Sequence, residues 1–118
     1  MGKNMRIALV YDEKQVLKPL DEGEILGIID EERKVVEQYE NPGFNKDKES
    51  TMNAIIQLGA QAIIVKDDSL DKASYEMSRG HIVYYPISKY NNLYDVIENL
   101  NDVKSNPQEK LPYMEGAQ

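Results

Sequence analysis

Three aspartates are the residues best suited by type to do chemistry. Asp12 follows one apolar run directly, and the adjacent Asp67 and Asp68 follow another. If the two runs are neighbouring parallel strands, the three carboxylates meet at the strands' carboxyl ends, where open α/β sheets form their clefts. Such a set could hold Mg²⁺ or Mn²⁺ and support phosphoryl or phosphodiester hydrolysis by two-metal chemistry. The plainer reading is structural. An aspartate commonly ends a strand, Asp68 and Ser69 suit the cap of a following helix, and no basic cluster stands ready for a substrate's phosphates.

Soft donors are scarce. The chain has no Cys, which excludes disulfides, thiolate ligation of zinc or iron–sulfur groups, and a cysteine nucleophile. His81 is the single imidazole; it follows Gly80 at the start of an apolar run, where a histidine serves structure more often than ligation. The five Met residues fall mostly at helical or terminal positions and read as core or tail. No phosphate-binding glycine loop, dinucleotide fingerprint, zinc-protease helix, nucleophile elbow or calcium loop occurs, and no serine is set to use His81. These features point to a binding protein, not an enzyme, and they name no cofactor.

The elements that would carry these residues follow from apolar periodicity. Residues 5–11 (MRIALVY) are apolar on both faces, as a central strand is. Residues 24–30 and 34–40, separated by a tight polar turn, predict an antiparallel hairpin whose second strand alternates like a sheet edge facing water. Pro42 lacks the N–H a ladder needs and Gly43 permits a positive φ, so the chain leaves the sheet there. Phe44 then folds over the sheet edge as a small apolar plug, the alternative being a ring that stacks on a ligand.

From Lys46 the pattern turns helical, with Ser50 or Thr51 as cap and Gly59 as the left-handed stop. Residues 62–66 (AIIVK) read as a buried strand, Asp67 to Ser69 as the cap of a second helix, and residues 81–85 (HIVYY) as the last strand. Ser88 can start a final helix with Leu93, Val96, Ile97 and Leu100 on one stripe. The expected fold is therefore α/β, a three-layer arrangement with a mixed five-stranded sheet in the order β-β-β-α-β-α-β-α. Residues 1–4 read as an N-terminal tail, 5–102 as the domain, and 103–118, with little to bury, as a mobile C-terminal tail.

Composition limits the partners. A net charge of -7 and the lack of a basic cluster argue against nucleic acid. No apolar run approaches the roughly 20 residues of a membrane helix, and no signal-peptide pattern occurs, so a cytoplasmic protein is expected. Among the eight Tyr, Tyr75, Tyr84, Tyr85, Tyr90 and Tyr94 lie within one stretch of the second half and suit a homodimer contact.

Several of these segments, taken in order, resemble the dinitrogenase iron-molybdenum cofactor biosynthesis domain. They are Ile7 to Asp12, Ile25 to Asp30, Val35 to Tyr39 with the following Glu40-Asn41-Pro42, a helix ending Leu58-Gly59, Ala62 to Val65, and Gly80 to Tyr84. The similarity spans roughly residues 5–100 and implies a ribonuclease H-like fold and cofactor carriage. In that family the loop before the second strand usually reads His-Phe-Gly, and the segment after Asn-Pro often carries His. Here the matching positions are Pro19-Leu20-Asp21 and Phe44-Asn45-Lys46, so both imidazoles are lost. The resemblance implies a ligand site from Pro19, Leu20, Asp21, Asn41, Phe44, Asn45, Asp68, Ser69 and His81. An iron–sulfur–molybdenum group wants thiolate or imidazole, which this set supplies only at His81. The expectation is a non-catalytic binding or accessory protein for an unidentified small ligand or protein. The alternatives are a divalent-metal hydrolase built on Asp12, Asp67 and Asp68, and a purely structural homo-oligomer.

Overall fold

The structure, a computed structural model, describes residues 4–66 and 68–115. Its elements are β1 (Arg6–Tyr11), β2 (Ile25–Asp30), β3 (Val35–Glu40), α1 (Lys48–Gln57), β4 (Ala62–Val65), α2 (Lys72–Ser78), β5 (Val83–Pro86), α3 (Leu93–Glu98) and α4 (Leu100–Val103). The five strands form one sheet in the order β3-β2-β1-β4-β5. β1–β2 and β2–β3 pair antiparallel, whereas β1–β4 and β4–β5 pair parallel. The apolar β1 and β4 lie inside the sheet and the half-polar β3 at its edge, as their side-chain patterns demand.

Each face of the sheet has its own core. On one, Ala8, Val10, Leu26, Ile28 and Ile63 pack against Met52 and Ile55 of α1 and Tyr75 of α2. On the other, Ile7, Leu9, Tyr11, Ile29, Ala62 and Ile64 pack against Leu93, Val96 and Val103 of α3 and α4. On that second face Tyr11 lies across β2. A Cβ on Gly27 would sit 2.7 Å from its ring, and Gln38 Nε2 of β3 donates to its hydroxyl at 2.8 Å. No helix among the described residues is long and apolar enough to cross a membrane.

The helix starts differ from the sequence expectation. Asp47, not Ser50 or Thr51, caps α1 by accepting from Ser50 N, because its extended backbone aims its carboxylate at the first turn. α2 begins at Asp71, which forms a reciprocal capping box with Ser74, so Asp68 and Ser69 do not cap it. Asn92, not Ser88, caps α3, and the expected last helix breaks at Asn99 into α3 and α4. Gly59 is left-handed with φ 78°, as expected.

Residues past Val103 offer few apolar side chains, yet Val103 and Leu111 are buried. Tyr84 of β5 and Gln108 exchange N–H···O bonds of 2.8 Å each, which closes the outer edge of β5. The Tyr75 hydroxyl accepts from Leu111 N at 3.0 Å and donates to Glu115, whose carboxylate also meets Arg79.

At the amino end of β1, Arg6 ties three elements together. Its guanidinium donates to Asp30 of β2, to both oxygens of Glu37 of β3, and to Leu58 O at the end of α1, at 2.9 to 3.0 Å. This bidentate pair, with help from the Tyr39 hydroxyl, holds the Glu37 carboxyl at about 2, far below its ordinary 4.5.

Candidate functional site

Four loops gather at the carboxyl ends of the parallel strands: residues 12–24, 41–47, 66 with 68–71, and 87–92. Asn41 is their hub. Pro42 stops β3 at this point, and the freed Asn41 turns inward until it is only 7% exposed. Its Nδ2 donates to Leu20 O and Gly23 O at 2.8 Å each, which fixes the orientation of the amide. Its Oδ1 accepts from Gly43 N at 3.1 Å and from the Thr51 hydroxyl at 2.7 Å. The Thr51 oxygen also lies 2.8 Å from Leu20 O, and its one proton is shared between the two acceptors. The amide is thereby saturated, as a buried polar group must be.

The neighbouring loops join through backbone bonds. Leu20 N donates to Ser69 O at 3.2 Å and Asn45 N to Asp21 O at 2.9 Å. Leu17 N donates to Asn91 O and Leu93 N to Gln15 O, each at 2.9 Å, which brings in the fourth loop. Gly43 is needed here for close approach and does not use a positive φ. A Cβ on it would lie 2.0 Å from Thr51 Oγ1 and 2.4 Å from Asp47 O, while the left-handed residue of this loop is Asn45 at φ 56°.

Of the residues singled out from sequence, the structure brings Pro19, Leu20, Asp21, Asn41, Asn45 and Ser69 together in this cluster. Most serve as frame. Leu20 belongs to the core, Pro19 O closes a turn with Glu22 N, and Ser69 Oγ accepts from Lys66 N at 2.8 Å. Asp21 Oδ1 is a buried oxygen without a hydrogen-bond partner, although Lys48 Nζ stands 3.4 Å away as an ion pair. Phe44 corrects its expectation: the turn that its N–H closes with Asn41 O at 3.1 Å leaves the ring 36% exposed and outside both cores.

The carboxylates are dispersed in role. Asp12 Oδ1 accepts from Val16 N at 3.0 Å and Lys14 N at 2.9 Å, and these bonds, Val16 first, draw its carboxyl below the ordinary range. Asp68 is exposed, and Asp67 lies outside the described residues. Among the described residues no group of three His, Cys, Asp or Glu side chains could hold a metal ion. His81 is exposed at the amino end of β5, the opposite end of the sheet from the loops, beside a depression it shares with Gly80 and Glu109.

Lys66 was missed in the sequence. It directly follows β4, and its Nζ donates to Asn91 Oδ1 at 2.6 Å and to Tyr90 O at 3.3 Å. Both acceptors are neutral, and the ammonium borders a depression of about 370 Å³ with Asp68, Ile87 and Ser88. The signal available was its position: a lysine at the carboxyl end of an interior parallel strand faces the cleft of such a sheet.

The fold is shared with solved structures. A provisionally assigned NifB protein from Thermotoga, placed in the DUF35 family, matches with a TM-score of 0.63 at 15% identity over 83% of this chain and 88% of that one. A provisionally assigned dinitrogenase from Methanocaldococcus jannaschii matches with a TM-score of 0.63 at 16% identity over 91% of this chain and 95% of that one. At such identities the likeness speaks for the fold alone. No protein-family model and no curated protein matches the chain.

Proposed function

We propose that this chain is a non-catalytic binding or accessory protein of ribonuclease H-like fold, related to iron-molybdenum cofactor carriers but not itself a ligand of the cluster. The likeness to proteins assigned as NifB and dinitrogenase supports the relationship. The observation that carries the rest is the use made of the positions where the family bears its ligands. In the two segments where the family bears imidazole, Pro19 O closes a turn with Glu22 N and Asn45 N ties its loop to Asp21 O, and the sole imidazole stands at the far end of the sheet. A cluster of iron, sulfur and molybdenum does not fit such donors, since amide and carboxylate oxygens are hard ligands. What the cleft does offer is an ammonium directly after an interior strand, Lys66, with no carboxylate paired to it among the described residues. The ligand that suits it is small and carries an acidic group.

Calorimetry and NMR on the full chain test this. Titration with Mg²⁺ or Mn²⁺ gives no heat, and inorganic phosphate, used as the anion probe, shifts amide resonances of residues 66–69 and 87–92 in the parent but not in Lys66→Met. Tight uptake of an iron–sulfur cluster, or metal-dependent phosphodiester hydrolysis abolished by Asp67→Asn, overturns the proposal.

A further inference from the structure

The two outer edges of the sheet are treated differently. β5 is closed by Gln108, whereas among the described residues no strand pairs with the outer side of β3. Which backbone groups are left open follows from one bond. Asn41 N donates to Glu24 O at 3.0 Å in register with the β2–β3 ladder, so Val35, Glu37 and Tyr39 turn their N–H and C=O inward. Val36, Gln38 and Glu40 therefore turn theirs outward.

This edge is also apolar where it is exposed. Val35 is 43% exposed and Tyr39 38%, and Ile97 of α3, 40% exposed, overhangs the same margin. Ile97 and Leu100 with Ile29, Val35 and Val36 line a groove of about 350 Å³ that opens beside β3. An open, partly apolar edge of this kind is a template for another strand.

We propose that the occupant is a second copy of this chain, paired antiparallel through β3 about a two-fold axis at Glu37. Charge and shape select that register. Lys34 of one copy comes beside Glu40 of the other, Val35 comes opposite Tyr39, and Val36 and Gln38 exchange N–H···O bonds across the junction. All of these interactions occur twice. Lys34 and Glu40 make no ion pair within the chain among the described residues. The two Glu37 carboxylates at the axis are each already neutralised by Arg6, with Arg33 at 3.5 Å. Moving the axis to Gln38 would set Lys34 against Pro42, which has no N–H to give, and Val36 against Glu40. The result is a continuous ten-stranded sheet with both grooves on one face, flanking the junction.

Sedimentation velocity from about 10 µM to about 1 mM, a range that resolves micromolar association, tests the pairing. The parent chain shifts towards twice its monomer mass as concentration rises. Lys34→Glu and Glu40→Lys each stay monomeric alone, while their equimolar mixture, and the double variant carrying both changes, dimerise like the parent. Gln38→Pro, which removes an outward N–H together with the Nε2 bond to Tyr11, abolishes the dimer, whereas Gln38→Ala, which loses the Nε2 bond but keeps the N–H, dimerises like the parent; neither changes the far-ultraviolet circular dichroism spectrum. A parent chain that remains monomeric at the highest concentration overturns the proposal. So does a dimer indifferent to the charge changes, or one that the mixture of variants fails to restore.

Discussion

Helix α1 is fastened at both ends, and the two fastenings are chemically opposite. At its start, Thr51 joins the Asn41 amide and Leu20 O in a network with no charge and almost no exposed surface. At its end, Leu58 O accepts from Arg6, whose side chain is 28% exposed and paired to Asp30 and Glu37. A neutral, dry network depends on geometry alone. A charged one at the rim depends on ionisation and on salt. The loop cluster that forms the candidate site is thus the end of the molecule whose shape should stay constant as conditions change.

The two fastenings can be loosened separately. Asn41→Ala strands Gly23 O and Gly43 N and leaves Leu20 O and the Thr51 hydroxyl only each other; we expect a loss of about 3 kcal/mol in urea unfolding, little altered by salt or by pH between 5 and 8. Gly43→Ala inserts a methyl against Thr51 and Asp47 O and should cost about 2 kcal/mol. Arg6→Ala acts at the other end, leaving Asp30, only 8% exposed, without its cation. We expect about 2 kcal/mol at low salt, shrinking clearly in 1 M salt, where the Asn41 variant does not change.

Acid sharpens the contrast. Glu37 is held at about 2 when folded against an ordinary 4.5, so its contribution is fully present above 4.5 and fades as pH falls through about 2. Unfolding curves measured between pH 5 and 2 should therefore slope downward in the parent and less steeply in Arg6→Ala, where Asp12, Asp47, Asp71, Asp102 and Glu115 still keep part of the slope. The smallest effect belongs to Phe44→Ala, within about 0.5 kcal/mol, because the ring packs in neither core. A larger loss there would mean that the ring is supporting the Asn41 turn.

The sheet was readable from sequence wherever burial imposes a period. β1 and β4 are apolar on both faces because both faces are covered, and Asn41-Pro42 ends β3 by covalent constraint. Caps were harder, since Asp47, Ser50 and Thr51, or Asp68, Ser69 and Asp71, lie within one turn of each other and only backbone angles choose among them. The fastening at Arg6 left no local trace: its partners are 24, 31 and 52 residues away. Residues 104–115 escaped for a related reason, because Val103 and Leu111 sit too far apart to show a repeat. The site was legible as a set of loops through the Glu-Asn-Pro turn, but not as a frame, since saturation of the Asn41 amide depends on carbonyls from another loop.

Gln108 and Leu111 come later in the chain than everything they cover. A nascent polypeptide emerging from the ribosome therefore holds all five strands before it can shield the last one. Until those residues appear, the β5 margin is as bare as the β3 margin, and chains interrupted just beyond Val103 should clump instead of dissolving.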